Sequence, residues 1–144
     1  MKTTATNKQW GMRSASWWMT TVIAVGIIFI GARFLAYPSA GAEGFGIPLS
    51  SPADFPFGRI KGIRDIFSGV ALLPLLLLRM RQATAWVFTA AIIVPATDCM
   101  IVLATNGPGD IAHLLVHGGT AVYMGVTSYL LFKPRLSIFD SFGD

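Results

Sequence analysis

Asp65, Asp98, His113 and His117 are side chains able to hold or exchange a proton, and Arg33, Lys61 and Arg64 are cations able to stabilise negative charge. All occur within an otherwise greasy chain. A histidine titrates near neutrality, and an aspartate in a poorly solvated place has its pKa raised, so His117 and Asp98 together suit proton transfer, isomerisation or cyclisation of an apolar molecule. Arg33 and Arg64 would then stabilise an enolate or carboxylate. His113 and His117 also form an H-x-x-x-H pair on one helical face, a spacing used by two metal ligands. Asp98 or Asp65 would supply a third ligand, and Asp110 sits one turn before His113. No Glu follows the first His as in H-E-x-x-H, and the nearby arginines oppose a cation, so the metal reading stays the weaker one and no cofactor is expected.

Composition sets what must position these groups. The 144 residues are 53% hydrophobic and 12% charged, with mean hydropathy +0.62, values that indicate an integral membrane protein. Four apolar stretches, residues 16–37, 60–78, 83–103 and 111–132, each suffice to cross a hydrocarbon core of about 30 Å. The expected fold is all-α: an integral membrane four-helix bundle running up-down-up-down over residues 16–132. Residues 1–15 and 133–144 are expected as cytoplasmic tails.

Lys2, Lys8, Arg13, Arg79, Arg81, Lys133 and Arg135 fall on one side of such a bundle, and residues 104–110 carry no Lys or Arg, so both termini are expected in the cytoplasm. Arg59 and Lys61, at the opposite end, are offset by Glu43 and Asp54. The net charge of +4 and pI near 9.6 thus follow membrane orientation, and no nucleic-acid partner is expected. The basic start and Ala40-Gly41-Ala42 imitate a cleavable signal, yet the apolar run exceeds a signal core and is framed by Trp17, Trp18 and Tyr37, as in a retained span.

Counting about 1.5 Å per residue puts Arg33, Arg64, Asp65, Asp98, His113 and His117 in one layer, within roughly 10 Å of the outer surface. Charges inside a span cost about 2.5–3.5 kcal/mol each, so they persist where they pair or perform a task. Lys61, Arg64, Asp65 and Ser68 follow i, i+3, i+4, i+7 and predict a polar stripe facing the interior or water. Arg64 and Asp65 point about 100° apart, so each is expected to find a partner on another helix: Asp98 for Arg64 and Arg33 for Asp65, or the reverse. Such pairs would by themselves pin the helices in register. A cheaper close-packing face is expected in the fourth span at Gly118, Ala121, Gly125 and Ser128.

Pro95, one turn before Asp98, should loosen the third span near the layer, and Pro74 is a candidate kink in the second. Residues 38–58, rich in Pro and Gly and carrying Phe45, Gly46, Phe55 and Phe57, form either a lid over the site or a plain linker. Cys99 is the sole cysteine, which excludes an internal disulfide and a C-x-x-C redox pair.

The runs Gly31-Ala32-Arg33-Phe34-Leu35, Gly44-Phe45-Gly46-Ile47-Pro48, Lys61-Gly62-Ile63-Arg64-Asp65-Ile66-Phe67-Ser68-Gly69, Pro95-Ala96-Thr97-Asp98 and His117-Gly118-Gly119-Thr120 resemble domain of unknown function family 4267, small four-span membrane proteins. The resemblance covers about residues 20 to 132. It implies the four-span architecture and places the family's motif positions on Arg33, Gly46, Lys61, Arg64, Asp65, Asp98 and His117. It brings no activity with it.

The functional expectation is therefore a site near the outer face that binds or converts a small apolar molecule by acid-base chemistry. Asp98, His117, Arg64, Asp65 and Arg33 are the candidate catalytic groups, and Lys61, His113, Ser68, Phe45 and Gly46 the candidate binding groups. The alternative is a non-catalytic binding or transport accessory, or an assembly subunit whose charged layer is a structural ion-pair network. The expected partners are the lipid bilayer, the small apolar ligand and further copies of the chain in a homo-oligomer.

Overall fold

The computed structural model describes residues 10–133, and among these there is no strand. The tails that carry Lys2, Lys8 and Arg135 lie outside the described residues. Six α-helices follow in order: α1 (Ala15–Ala36), α2 (Pro38–Phe45), α3 (Phe55–Leu77), α4 (Arg81–Ala91), α5 (Ile93–Asn106) and α6 (Ile111–Phe132), with a 3-10 turn at Pro52–Asp54 before α3.

Among the described residues three helical segments are long and apolar enough to cross a membrane: Ala15–Ala36, Arg81–Asn106 and Ile111–Phe132. Their side chains are distributed for lipid rather than water. Phe29, Met100, Leu115 and Val122 point outward, whereas Thr20, Thr84 and Thr127 are fully buried. α3 is as long, at 23 residues, but Arg59, Lys61, Arg64 and Asp65 occupy its first half.

The segment Arg81–Asn106 is two helices because of Pro95. Proline has no N–H to give to the carbonyl of Ala91 and its ring crowds that oxygen, so the ladder breaks at Ile92, whose N–H turns to Thr89 O at 3.2 Å. The discontinuity thus lies six residues from Asp98, deeper than the expected loosening beside the charged layer. Pro74, by contrast, sits in the last turn of α3, which runs on to Leu77.

The most extensive packing joins α1 to α3. A Cβ at Gly31 would stand 2.5 Å from Gly62 O, one at Gly62 2.7 Å from Gly31 O, and one at Gly69 2.5 Å from Ala24 O. Only glycine permits this approach, and the matched sevenfold spacing shows that the two helices run antiparallel. The close-packing seam is therefore here and not on α6 as expected: a Cβ at Gly125 would meet nothing within 4 Å, and one at Gly118 would make only an ordinary contact with Cys99 Sγ. α6 is joined to α4 by the Ser128 and Thr89 hydroxyls instead.

The end opposite α2 holds the apolar core, with Trp10, Leu72, Leu76, Phe88, Met124 and Leu131. It is closed by side-chain bonds to backbone carbonyls. Trp17 Nε1 donates to Leu76 O at 3.3 Å, and Arg81 donates to Leu130 O at 3.0 Å and to Lys133 O, covering the free carbonyls that end α6. The buried ionisable side chains, Asp65 and His117, lie toward the other end.

Candidate functional site

At the α2 end, Asp98 of α5 lies within electrostatic reach of three ionisable side chains on two other helices: Lys61 and Asp65 of α3 and His117 of α6. Lys61 Nζ bonds Asp65 Oδ2 at 2.8 Å, one turn along the same helix. The ammonium also lies 5.1 Å from the ring centres of both Phe34 and Phe45, so two aromatic faces and a carboxylate surround it. Asp65 and His117 are buried.

Asp98 differs from its neighbours. It is half-buried and within electrostatic reach of Lys61, His117 and Asp65, yet its carboxylate makes no hydrogen bond or ion pair among the described residues. A carboxylate in such a place has unspent hydrogen-bonding capacity.

His117 is oriented by the chain segment above it. Its Nε2 lies 2.8 Å from Phe45 O; a carbonyl only accepts, so Nε2 carries a proton and donates it to Phe45 O. The Phe45 ring packs 4.5 Å from the imidazole centre and 6.4 Å from that of Phe34.

Phe45 can reach the site because residues 38–58 are folded. Pro38 opens α2 and Gly46, at φ 100°, closes it in the left-handed region that favours glycine. The His113 ring rests on Gly46, where a Cβ would stand 2.7 Å from His113 Cγ. Asn106 Nδ2 donates at 2.6 Å to both Gly46 O and Asp110 Oδ2, and His113 Nδ1 donates to Asp110 at 2.7 Å. These bonds, from Asn106 first and His113 second, hold the Asp110 carboxyl below its ordinary value.

The remaining expected site residues stand apart. Arg64 and Ser68 are exposed on the outward side of α3, where Ser68 Oγ merely donates to Arg64 O at 2.9 Å; the predicted stripe is split, with only Lys61 and Asp65 turned inward. Arg33 is exposed and its guanidinium lies beside Gly44. Neither Arg33 nor Arg64 forms an ion pair with Asp65 or Asp98 among the described residues. The expected cross-helix pairings are replaced by the Lys61–Asp65 pair within α3. His113 belongs to the Asp110 clamp, and its ring and that of His117 are committed to different partners. Among the described residues no group of three or more His, Cys, Asp or Glu side chains is arranged to hold a metal ion.

Residues 24–131 match the family model described as Domain of unknown function (DUF4267). The chain belongs to this family. The matched region contains every residue of the cluster, from Phe34 on α1 to His117 on α6. No curated protein and no solved structure matches the chain.

Sequence reasoning missed Phe34 and Asn106, and it named Asp110 only beside His113 in the metal reading. Phe34 carries no chemical signal of its own, whereas Asn106-Gly107-Pro108-Gly109-Asp110 is a legible turn between two polar side chains, and its role as a clamp depends on what packs above it.

Proposed function

We propose that this DUF4267 protein binds or converts a small apolar molecule by acid-base chemistry at Asp98 and His117, in the outer part of a four-span membrane domain. α3 is the fourth crossing, the four spans run up-down-up-down, and both termini are cytoplasmic. Arg79, Arg81 and Lys133 at the end opposite α2 support this orientation by the positive-inside bias.

The observation that carries the reading is the unpartnered Asp98 carboxylate beside Lys61, Asp65 and His117. The cluster sets two carboxyl groups against one amino group, so it has room to take up a proton. Asp98 accepts a proton from the bound molecule, and His117 Nδ1 is the second position that a proton can occupy. Lys61 takes the part expected of Arg33 and Arg64: its ammonium stabilises negative charge developing on an oxygen of the ligand. Phe34 and Phe45 supply an apolar wall.

The alternative, a purely structural ion-pair network, is weakened by the geometry of the pair. Lys61 and Asp65 lie on one helix, so their bond joins no helix to another. Asp98, the group best placed to do so, is unpaired among the described residues.

The test is organic extraction and mass spectrometry of protein gently purified in mild detergent. A molecule recovered from the wild type and lost in Asp98→Asn, with melting temperature retained, is the expected result. Collapse of the fold in Asp98→Asn would instead favour a structural role.

A further inference from the structure

The segment that crosses above the cluster is held down at two successive carbonyls by two different helices. Phe45 O accepts from His117 on α6, and Gly46 O accepts from Asn106 at the end of α5. Beneath it the Phe45 ring covers both His117 and the Lys61 ammonium. Lifting Phe45 and Gly46 would uncover His117 and Lys61 in one movement.

The two fastenings are not equivalent. His117 is buried, whereas Asn106 is exposed and water competes for its bonds. Asn106 spends its amide on Gly46 O and Asp110, and Asp110 in turn holds His113, whose ring supports Gly46 from below. The clamp is thus closed on itself. It ends in Gly107-Pro108-Gly109, where a Cβ at either glycine would meet nothing within 4 Å, so no side chain packs over the turn there.

We infer that Asn106 is a positioning residue that latches Phe45 and Gly46 over the Lys61–Asp98–His117 cluster as a lid opening to the aqueous side. The proposal rests on the reading above for what lies beneath the lid, and its test needs no ligand.

The full chain, in lipid nanodiscs, is labelled with a water-soluble cationic thiosulfonate. One thiol is introduced at the site by Asp98→Cys in a Cys99→Ala background; the other is the native Cys99, half-buried at the same level but directed to Leu114 O on α6. Adding Asn106→Ala removes the latch and should raise labelling of the introduced thiol about fivefold or more, while Cys99 in the otherwise native chain is unchanged. Gly46→Ala, which drives a Cβ into the His113 ring, should act in the same direction from the lid side. Equal labelling with and without Asn106, including no labelling in either, overturns the latch. A parallel rise at Cys99 also overturns it, since that is general loosening. Absence of any bound molecule in the wild type would defeat the acid-base reading and leave these rates unaffected.

Discussion

Replacing Gly31 by alanine tests whether the α1–α3 seam sets the position of the site. The added Cβ would stand 2.5 Å from Gly62 O, 2.8 Å from Ile66 N and 2.9 Å from Ile66 Cγ1, against an ordinary contact of at least 3.4 Å. Two of the three obstacles are backbone, so no rotamer change relieves them and the helices must part by about 1 Å. Overpacking of this kind costs about 3 kcal/mol at the upper end of its usual range. Alanine regains about 1 kcal/mol over glycine within a helix, leaving a net loss of about 2 kcal/mol. Gly26→Ala is the matched control, because a Cβ there meets nothing within 4 Å and only the gain of about 1 kcal/mol applies. At roughly 4 °C per kcal/mol for a chain of this size, Gly31→Ala should melt about 8 °C lower than wild type and Gly26→Ala about 4 °C higher. Thermal unfolding in detergent, followed by the fluorescence of Trp10, Trp17, Trp18 and Trp86, reads both. Equal melting temperatures for the two variants would refute the close approach.

Two further predictions concern charge. Lys61→Met leaves the buried Asp65 carboxylate without its partner and should cost about 2 kcal/mol, as for a truncated charged hydrogen bond. Adding Asp65→Leu should recover most of that loss, and a double variant no more stable than the single one would contradict the pairing. Asp110 has a folded-state pKa below its ordinary 3.8, so its contribution to stability is complete above that value and lost as pH falls through the depressed one. Asp110→Asn should therefore melt below wild type at pH 7, with the gap narrowing under acid; a gap independent of pH would argue against the clamp.

Much of the geometry was legible in the sequence through helical rise alone. Counting residues from the span ends puts Asp65, Asp98 and His117 at one depth, and in the structure Asp98 on α5 lies within electrostatic reach of Asp65 on α3 and His117 on α6. Partner choice was not legible. Asp65 has Lys61 one turn before it and Arg33 on the neighbouring helix; the short in-helix geometry wins, because the Gly31–Gly62 contact turns Arg33 outward toward Gly44. The same seam was readable only once paired: Ala24 and Gly31 are seven apart, as are Gly62 and Gly69, but each spacing is unremarked until the helices are laid together. α2 was marked by Pro38 at its start and Gly46 just past its end. Its eight residues are too few to show an apolar period, so the segment could be read either as a linker or as a lid.

In the proposed function Asp98, and not the arginines of the same layer, holds the ligand. Native mass spectrometry of intact protein in mild detergent, comparing wild type, Asp98→Asn and Arg64→Gln, tests it most directly. A small organic molecule is expected to be retained by the wild type and by Arg64→Gln, whose side chain lies outside the cluster, and lost from Asp98→Asn. Retention by Asp98→Asn, or loss from Arg64→Gln alone, would contradict it.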